Sequence, residues 1–261
     1  MTKTRALALV PCATSLLLLA PSSAVADEDK GQTIGTKVDQ AWTGYKGEEN
    51  ELELELVSAN GERVTRRMRG RVREHGRDEQ ATITIVWPAD QKDTRLLTWS
   101  HRDKEDDQWL YLPSIKRVKR ISARGRTGSF VGSEFSYEDL VNVWWVDKFK
   151  YKYLRDQKVG PRDTWVVERV PRDPESGYSK QQVWIDKEYL TALRIDFYDR
   201  KGSLFKTGNF KSFKKYGNKW RADRIDMDNR QTGKKSSVIW KVRSLGKTFT
   251  DSDFSADTLG D

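Results

Sequence analysis

The chain has 261 residues, a single cysteine, a formal charge of +9 and a charged fraction of 33%. One cysteine excludes an internal disulfide framework, so the fold rests on its core; a chain this long buries roughly 70–75% of its unfolded surface. The positive charge admits acidic partners but selects none.

The chain opens with the basic "MTKTR", the apolar "ALALVPCATSLLLLA" and the small residues "AVA" at Ala24–Ala26. That order is a secretory leader, cleaved after Ala26. Pro11 breaks the apolar run, which is too short and poorly flanked for a membrane span. Cys12 follows a proline and lies inside the run, which argues against lipid anchoring there. Residues 27–261 are then expected as one exported domain. Export argues against nucleic acid as a partner. It leaves phospholipid headgroups, lipopolysaccharide, acidic glycans and acidic proteins.

Ile34, Val38 and Trp42 fall on one helical stripe, weakened by Gly31 and Gly35, so that helix depends on docking. After Gly44 and Gly47 the period becomes two. "ELELELVS" sets Leu52, Leu54 and Leu56 on one face and glutamates on the other, a half-buried strand. Asn60–Gly61 signals a hairpin. Strand-like runs follow: "ERVTRRMRGRVREHG", "ATITIVWP", "TRLLTWSH", "DQWLYLPS" and "IKRVKRIS". Beyond the centre come "KYKYLRDQ", "DTWVVERVP", "KQQVWIDK", "LTALRIDFYD", "SLFKTGNFKSF", "KWRADRIDMDN" and "SSVIWKVRS". Short charged turns join them, and no long helices alternate with them. The pattern predicts a large antiparallel meander that curls on itself.

The apolar faces include Trp87, Trp99, Trp109, Tyr111, Trp165, Trp184, Phe197 and Trp240. A curved sheet of about a dozen strands encloses more volume than side chains easily fill. Either helices plug that interior, or an apolar cavity remains.

Catalytic and metal patterns are weak. His75 and His101 lie in charged stretches that read as exposed, and no nucleophile elbow accompanies them. Two isolated histidines do not make a zinc site. "DRIDMDN" lacks the glycine and distal glutamate of a calcium loop and reads as a solvated strand face. Gly125, Gly128 and Gly132 precede no Lys-Ser/Thr pair, so no phosphate loop forms. No cofactor is expected. Ten tryptophans leave a glycan-binding platform as the competing reading.

The central "SFVGSEFSYEDL" reads as a switch from strand into a short helix. Ser136 is the N-cap, Asp139 completes a capping box, and Phe135 and Leu140 have staple spacing. The longer run "WLYLPSIKRVKRISARGRTGSFVGSEFSYEDL", Trp109 to Leu140, strongly resembles the signature of the LolA-like outer-membrane lipoprotein-sorting proteins. "GERVTRRM", "YSKQQVWIDKEYLTALRIDFYDRKGSLFKT" and "TDSDFSADTL" resemble further parts of that family. The resemblance implies an incompletely closed antiparallel β-barrel with a few helices as lid or plug. It implies a hydrophobic cavity for the acyl chains of lipoproteins or related lipids, and no catalysis. The expected partners are those chains, a membrane surface and an inner-membrane transporter. Candidate cavity residues are Trp87, Trp99, Trp109, Tyr111, Phe130, Val131, Phe135 and Leu140. Candidate headgroup contacts are Lys116, Arg117, Lys119, Arg120, Arg124 and Arg126, with an edge that discourages strand pairing as the simpler reading of that basic run.

Overall fold

The computed structural model describes residues 23–260. Most of the expected leader, Cys12 included, therefore lies outside the described residues. One helix, α1 (Ser23–Trp42), precedes thirteen strands. The first arm holds β1 (Gly47–Val57), β2 (Arg63–His75), β3 (Asp78–Trp87), β4 (Arg95–Ser100), β5 (Asp107–Leu112) and β6 (Arg117–Arg120). The second holds β7 (Phe149–Val159), β8 (Arg162–Pro171), β9 (Tyr178–Asp186), β10 (Ala192–Asp199), β11 (Leu204–Tyr216), β12 (Lys219–Asn229) and β13 (Lys235–Leu245).

All pairings are antiparallel, in the order β6-β5-β4-β3-β2-β1-β13-β12-β11-β10-β9-β8-β7. Each arm is a meander, and the arms join where β1 pairs with β13. The sheet does not close: β6 and β7 are its two edges. They are also consecutive in sequence, so the segment 121–148 between them must cross the open seam.

Alternation explains the first arm. Leu52 and Leu54 of β1 are buried, while Glu49 and Glu51 face out, opposite Arg71 and Arg69 of β2. Such exposed pairs set register more than they stabilise.

The stripe Ile34, Val38 and Trp42 is the docked side of α1, with Ile34 and Val38 in the core. The two glycines that weaken the helix permit the docking. A Cβ on Gly31 would lie 2.7 Å from the Tyr153 backbone nitrogen, and one on Gly35 would press on Tyr151 and Val146 at 3.0 Å. Asp39 of α1 then reaches across the seam. Its carboxylate accepts two 2.7 Å hydrogen bonds from Arg102 in the β4–β5 turn and one from the Val146 N–H at 3.1 Å.

The central segment enters a short helix, as its capping residues predict, but that helix is a single 3-10 turn. Ser129 and Ser136 form an antiparallel bridge, and Val131 and Gly132, with φ of 43° and 78°, turn the chain between them. A single 3-10 turn, Tyr137–Leu140, follows. The capping box is present: the Ser136 N–H and hydroxyl donate to Asp139 Oδ2 at 2.7 and 2.9 Å. The helical continuation fails because the next residues, 141–145, run extended to carry Trp144 and Trp145 into the core. The resulting knob is wedged inside the sheet. Phe130 and Phe135 are buried, and Phe130 meets Tyr137 edge-on at 5.8 Å.

A second apolar cluster lies apart from this core. Leu97, Trp99, Trp109 and Tyr111 of β4 and β5 pack with Phe249, Phe254 and Leu259 of the C-terminal segment. β4 is thus apolar on both faces, one toward the interior and one beneath the tail.

Candidate functional site

Two adjoining cavities occupy the concave side of the sheet. The wider, about 250 Å³, lies against the first arm between Leu52, Leu54, Met68, Ile83, Val238 and the knob residues Phe130, Phe135 and Leu140. The narrower, about 180 Å³, lies against the second arm between Phe149, Tyr178, Ile195, Phe197 and Met227. Phe135, Val141, Trp144, Phe210 and Ile225 line both. The central segment is therefore the partition between two lobes of one interior. Together the lobes fall in the lower part of the range of small-molecule pockets, roughly 300–1,000 Å³.

The partition is fixed by polar contacts. Asp139 accepts from Tyr178 Oη at 2.9 Å and from Lys206 Nζ at 2.6 Å. Both members of that ion pair are buried, with side chains 8% and 1% exposed. Lys206 also donates to the Glu134 carbonyl at 2.9 Å. Glu138 accepts from the Ser176 hydroxyl at 2.8 Å, and burial, reinforced by Asp139 beside it, raises its pKa to about 7. Glu79 accepts from Tyr45 Oη at 2.8 Å and Asn142 Nδ2 at 2.7 Å; burial lifts it to about 7 as well. Each loop contact secures the knob to one arm: Asn142 to β3, Asp139 to β9 and β11.

A row of rings and guanidinium groups bridges the lobes. Arg221 lies 3.9 Å from the Trp42 ring centre, Trp42 stacks on Trp144 at 4.7 Å, and Arg169 lies 5.7 Å from Trp144 and 4.1 Å from Phe149. Arg169 donates to Gln181 Oε1 and to the Val143 carbonyl.

A family model described as "Uncharacterized protein" matches residues 77–261. Among solved structures, one described as an outer membrane lipoprotein-sorting protein domain from Vibrio parahaemolyticus is 38% identical. It superposes with a TM-score of 0.87 over 90% of this chain and 100% of that one. The chain belongs to the family of this outer-membrane lipoprotein-sorting protein domain. A DUF1329 family protein from Desulfovibrio piger is 28% identical, with a TM-score of 0.86 over 89% of this chain and 99% of that one. A LolA superfamily protein from Nitrosomonas europaea, 20% identical, shares the fold with a TM-score of 0.70 over 87% of this chain and 98% of that one. No curated protein matches the chain.

Within that family fold the expected cavity residues separate into two groups. Phe130, Phe135 and Leu140 line the wider lobe, and Val131 packs on the same core from the turn of the knob. Trp87, Trp99, Trp109 and Tyr111 do not. Trp87 is 44% exposed at the end of β3, beyond the enclosed part of the sheet. Trp99, Trp109 and Tyr111 are on the outer face under the tail, where Trp99 Nε1 donates to the Phe254 carbonyl at 2.9 Å. Period-two alternation assigns side chains to two faces but does not say which face is concave.

The basic run divides too. Lys116, Arg117, Lys119, Arg120 and Arg124 are exposed on and beside the edge strand β6. Arg126 is buried, donating to Asp173 at 2.7 Å and to the Asp106 carbonyl at 2.8 Å, so it braces the seam and is not free for headgroups. His101 is also buried, contrary to its charged sequence context, between Asp78 at 2.7 Å and Asp107 at 3.2 Å.

Sequence reasoning missed the polar end of the wider lobe, formed by Tyr45, Glu48, Asn50, Glu79, Arg221 and Arg243. A signal was present. In "GEENELELELV", Glu48 and Asn50 continue the leucine face and not the glutamate face.

Proposed function

We propose that this chain is a periplasmic, non-catalytic carrier of acyl-chain lipids or lipoproteins, exported by a leader cleaved after Ala26. The observation that carries the reading is the two-lobed apolar cavity enclosed by the sheet, α1 and the central knob. The family membership supports it. Each methylene moved from water into such a cavity contributes about 0.8 kcal/mol, so one long chain supplies the affinity without any polar chemistry.

The hairpin of β5 and β6 supports a transient contact with anionic membrane. It exposes Ile115 at 60% and Val118 at 40% among Lys116, Arg117, Lys119 and Arg120, and each base near such a surface is worth about 1 kcal/mol. Among the described residues no helix is long and apolar enough to cross a membrane. The glycan-platform alternative needs an outward row of aromatics. Among the described residues Trp87 is the one exposed tryptophan.

Native mass spectrometry of protein purified from its own envelope, followed by lipid extraction, tests the proposal. Acyl species should co-purify with the wild type and be displaced from Ala222→Trp, which fills the wider lobe. An empty wild type that also takes up no lipid from micelles would contradict it.

A further inference from the structure

An acyl chain does not account for the polar end of the wider lobe. Arg221 on β12 is 2% exposed, yet among the described residues its guanidinium donates only to two backbone carbonyls, of Trp220 at 3.0 Å and Trp42 at 3.2 Å. No carboxylate pairs with it among the described residues. A guanidinium has five donors in a rigid fork, and most of this fork is without an acceptor. Stacking on Trp42 at 3.9 Å holds its plane against the cavity wall. Arg243, in the same wall, is by contrast paired with two carboxylates, Glu48 and Asp223, each at 3.0 Å. Burial lowers the Arg221 pKa to about 10, more than the nearby Glu48, Tyr45 and Glu79 offset.

Three more polar atoms in this lobe are buried and without a partner among the described residues: Nε1 of Trp42, Nε1 of Trp240 and Oδ1 of Asn50. Leaving a buried polar group unmatched costs roughly 1–3 kcal/mol. Two are donors, as is Arg221. The facing carboxylates are compensated: Glu48 by Arg243 and Asn50, and Glu79 by the Tyr45 and Asn142 donors.

We propose that this end of the wider lobe is a subsite for an anionic oxygen group, carboxylate or phosphate, carried on the acyl cargo. Arg221 supplies the charge, and the Trp42 and Trp240 indoles supply neutral donors beside it. The chain then lies along Leu52, Leu54 and Met68, so the cargo enters head first. Asn50 Oδ1, an acceptor, suits a hydroxyl or amide N–H on a larger head. The inference rests on the carrier reading and narrows it to anionic amphiphiles.

The test is titration of the delipidated protein at about pH 8 with palmitate, hexadecyl phosphate and hexadecanol, and with acetate and inorganic phosphate as chainless controls. At least one of the two anionic amphiphiles should bind about tenfold more tightly than hexadecanol, the worth of a charge-assisted contact. The two anionic ligands separate a carboxylate site from a phosphate site. Arg221→Gln should remove that preference and leave hexadecanol within about twofold; Trp42→Phe, which keeps the stacked ring and loses the donor, should reduce it about threefold. Equal binding of all three chains by the wild type overturns the subsite and leaves the carrier intact. Failure to bind any chain overturns both. Acetate or phosphate binding as tightly as the chains also overturns the subsite as part of a cargo site. The wild-type comparison stands even if Arg221→Gln does not fold, and a preference unchanged in both variants contradicts the assignment.

Discussion

Asp139 joins three elements through one carboxylate: its own turn through Ser136, β9 through Tyr178 and β11 through Lys206. Removing one partner of a buried ion pair leaves the other charge uncompensated, at a cost of about 3–5 kcal/mol. Lys206→Met should therefore destabilise the protein by about that much, and adding Asp139→Asn should restore part of it; denaturant melts of both variants check this. Ser136→Ala should cost only about 1 kcal/mol, the value of a cap. Glu79 gives a pH signature. Its pKa rises from 4.5 to about 7 on burial, so between those values the folded state keeps a proton that the unfolded state has lost. Stability then falls as pH rises through that window. Glu79→Gln should remove its share of the fall, at most about 1.4 kcal/mol per pH unit, in melts between about pH 5 and about pH 8. An unchanged slope would show that Glu79 is ionised in the fold. The cap at Ser136 was legible because capping is local. The partners of Asp139 and Glu79 were not, because Lys206 and Asn142 reach them from 67 and 63 residues away.

At the scale of elements, the thirteen strands follow from period two and turn chemistry. The stripe of α1 follows from period four, and the dependence of that helix on docking from its glycines. Gly31→Ala tests the docking directly. In an exposed helix that change stabilises by roughly 0.8–1 kcal/mol; here the added methyl would meet β7 backbone at 2.7–2.8 Å. The expected outcome is a lowered melting temperature and easier proteolysis of α1. A raised melting temperature would mean that α1 is not seated on β7. The short helix of the knob was legible because local capping sets how a turn starts; its end after one 3-10 turn was not, because tertiary contacts of Trp144 and Trp145 set how the chain continues. The outer cluster was misread for a related reason. Trp99 and Trp109 carry the same alternation whether they face a cavity or a C-terminal tail that covers them from more than 100 residues away.

At the scale of the molecule, an open sheet with sequence-adjacent edges makes the connecting segment do two jobs: it spans the seam and divides the interior. The basic edge strand β6 lies beside that seam. Replacing Lys116, Arg117 and Lys119 together with glutamate should abolish binding to vesicles containing anionic lipid and leave the melting temperature unchanged, since all three are exposed. Wild-type binding should weaken as salt shortens the Debye length from about 10 Å at 0.1 M; cosedimentation measures both. Family and open-barrel fold were legible in the central run and the strand count. The location of the interior was not, since it depends on which face of each strand the curl makes concave. Photo-crosslinking with a diazirine-bearing palmitate, mapped by peptide mass spectrometry, is the most direct test of the central claim. Adducts are expected on Leu54, Met68, Ile83, Phe135 and Val238, which line the wider lobe; adducts confined to Trp87, Trp99, Trp109 or Tyr111, or none at all, would overturn the carrier reading.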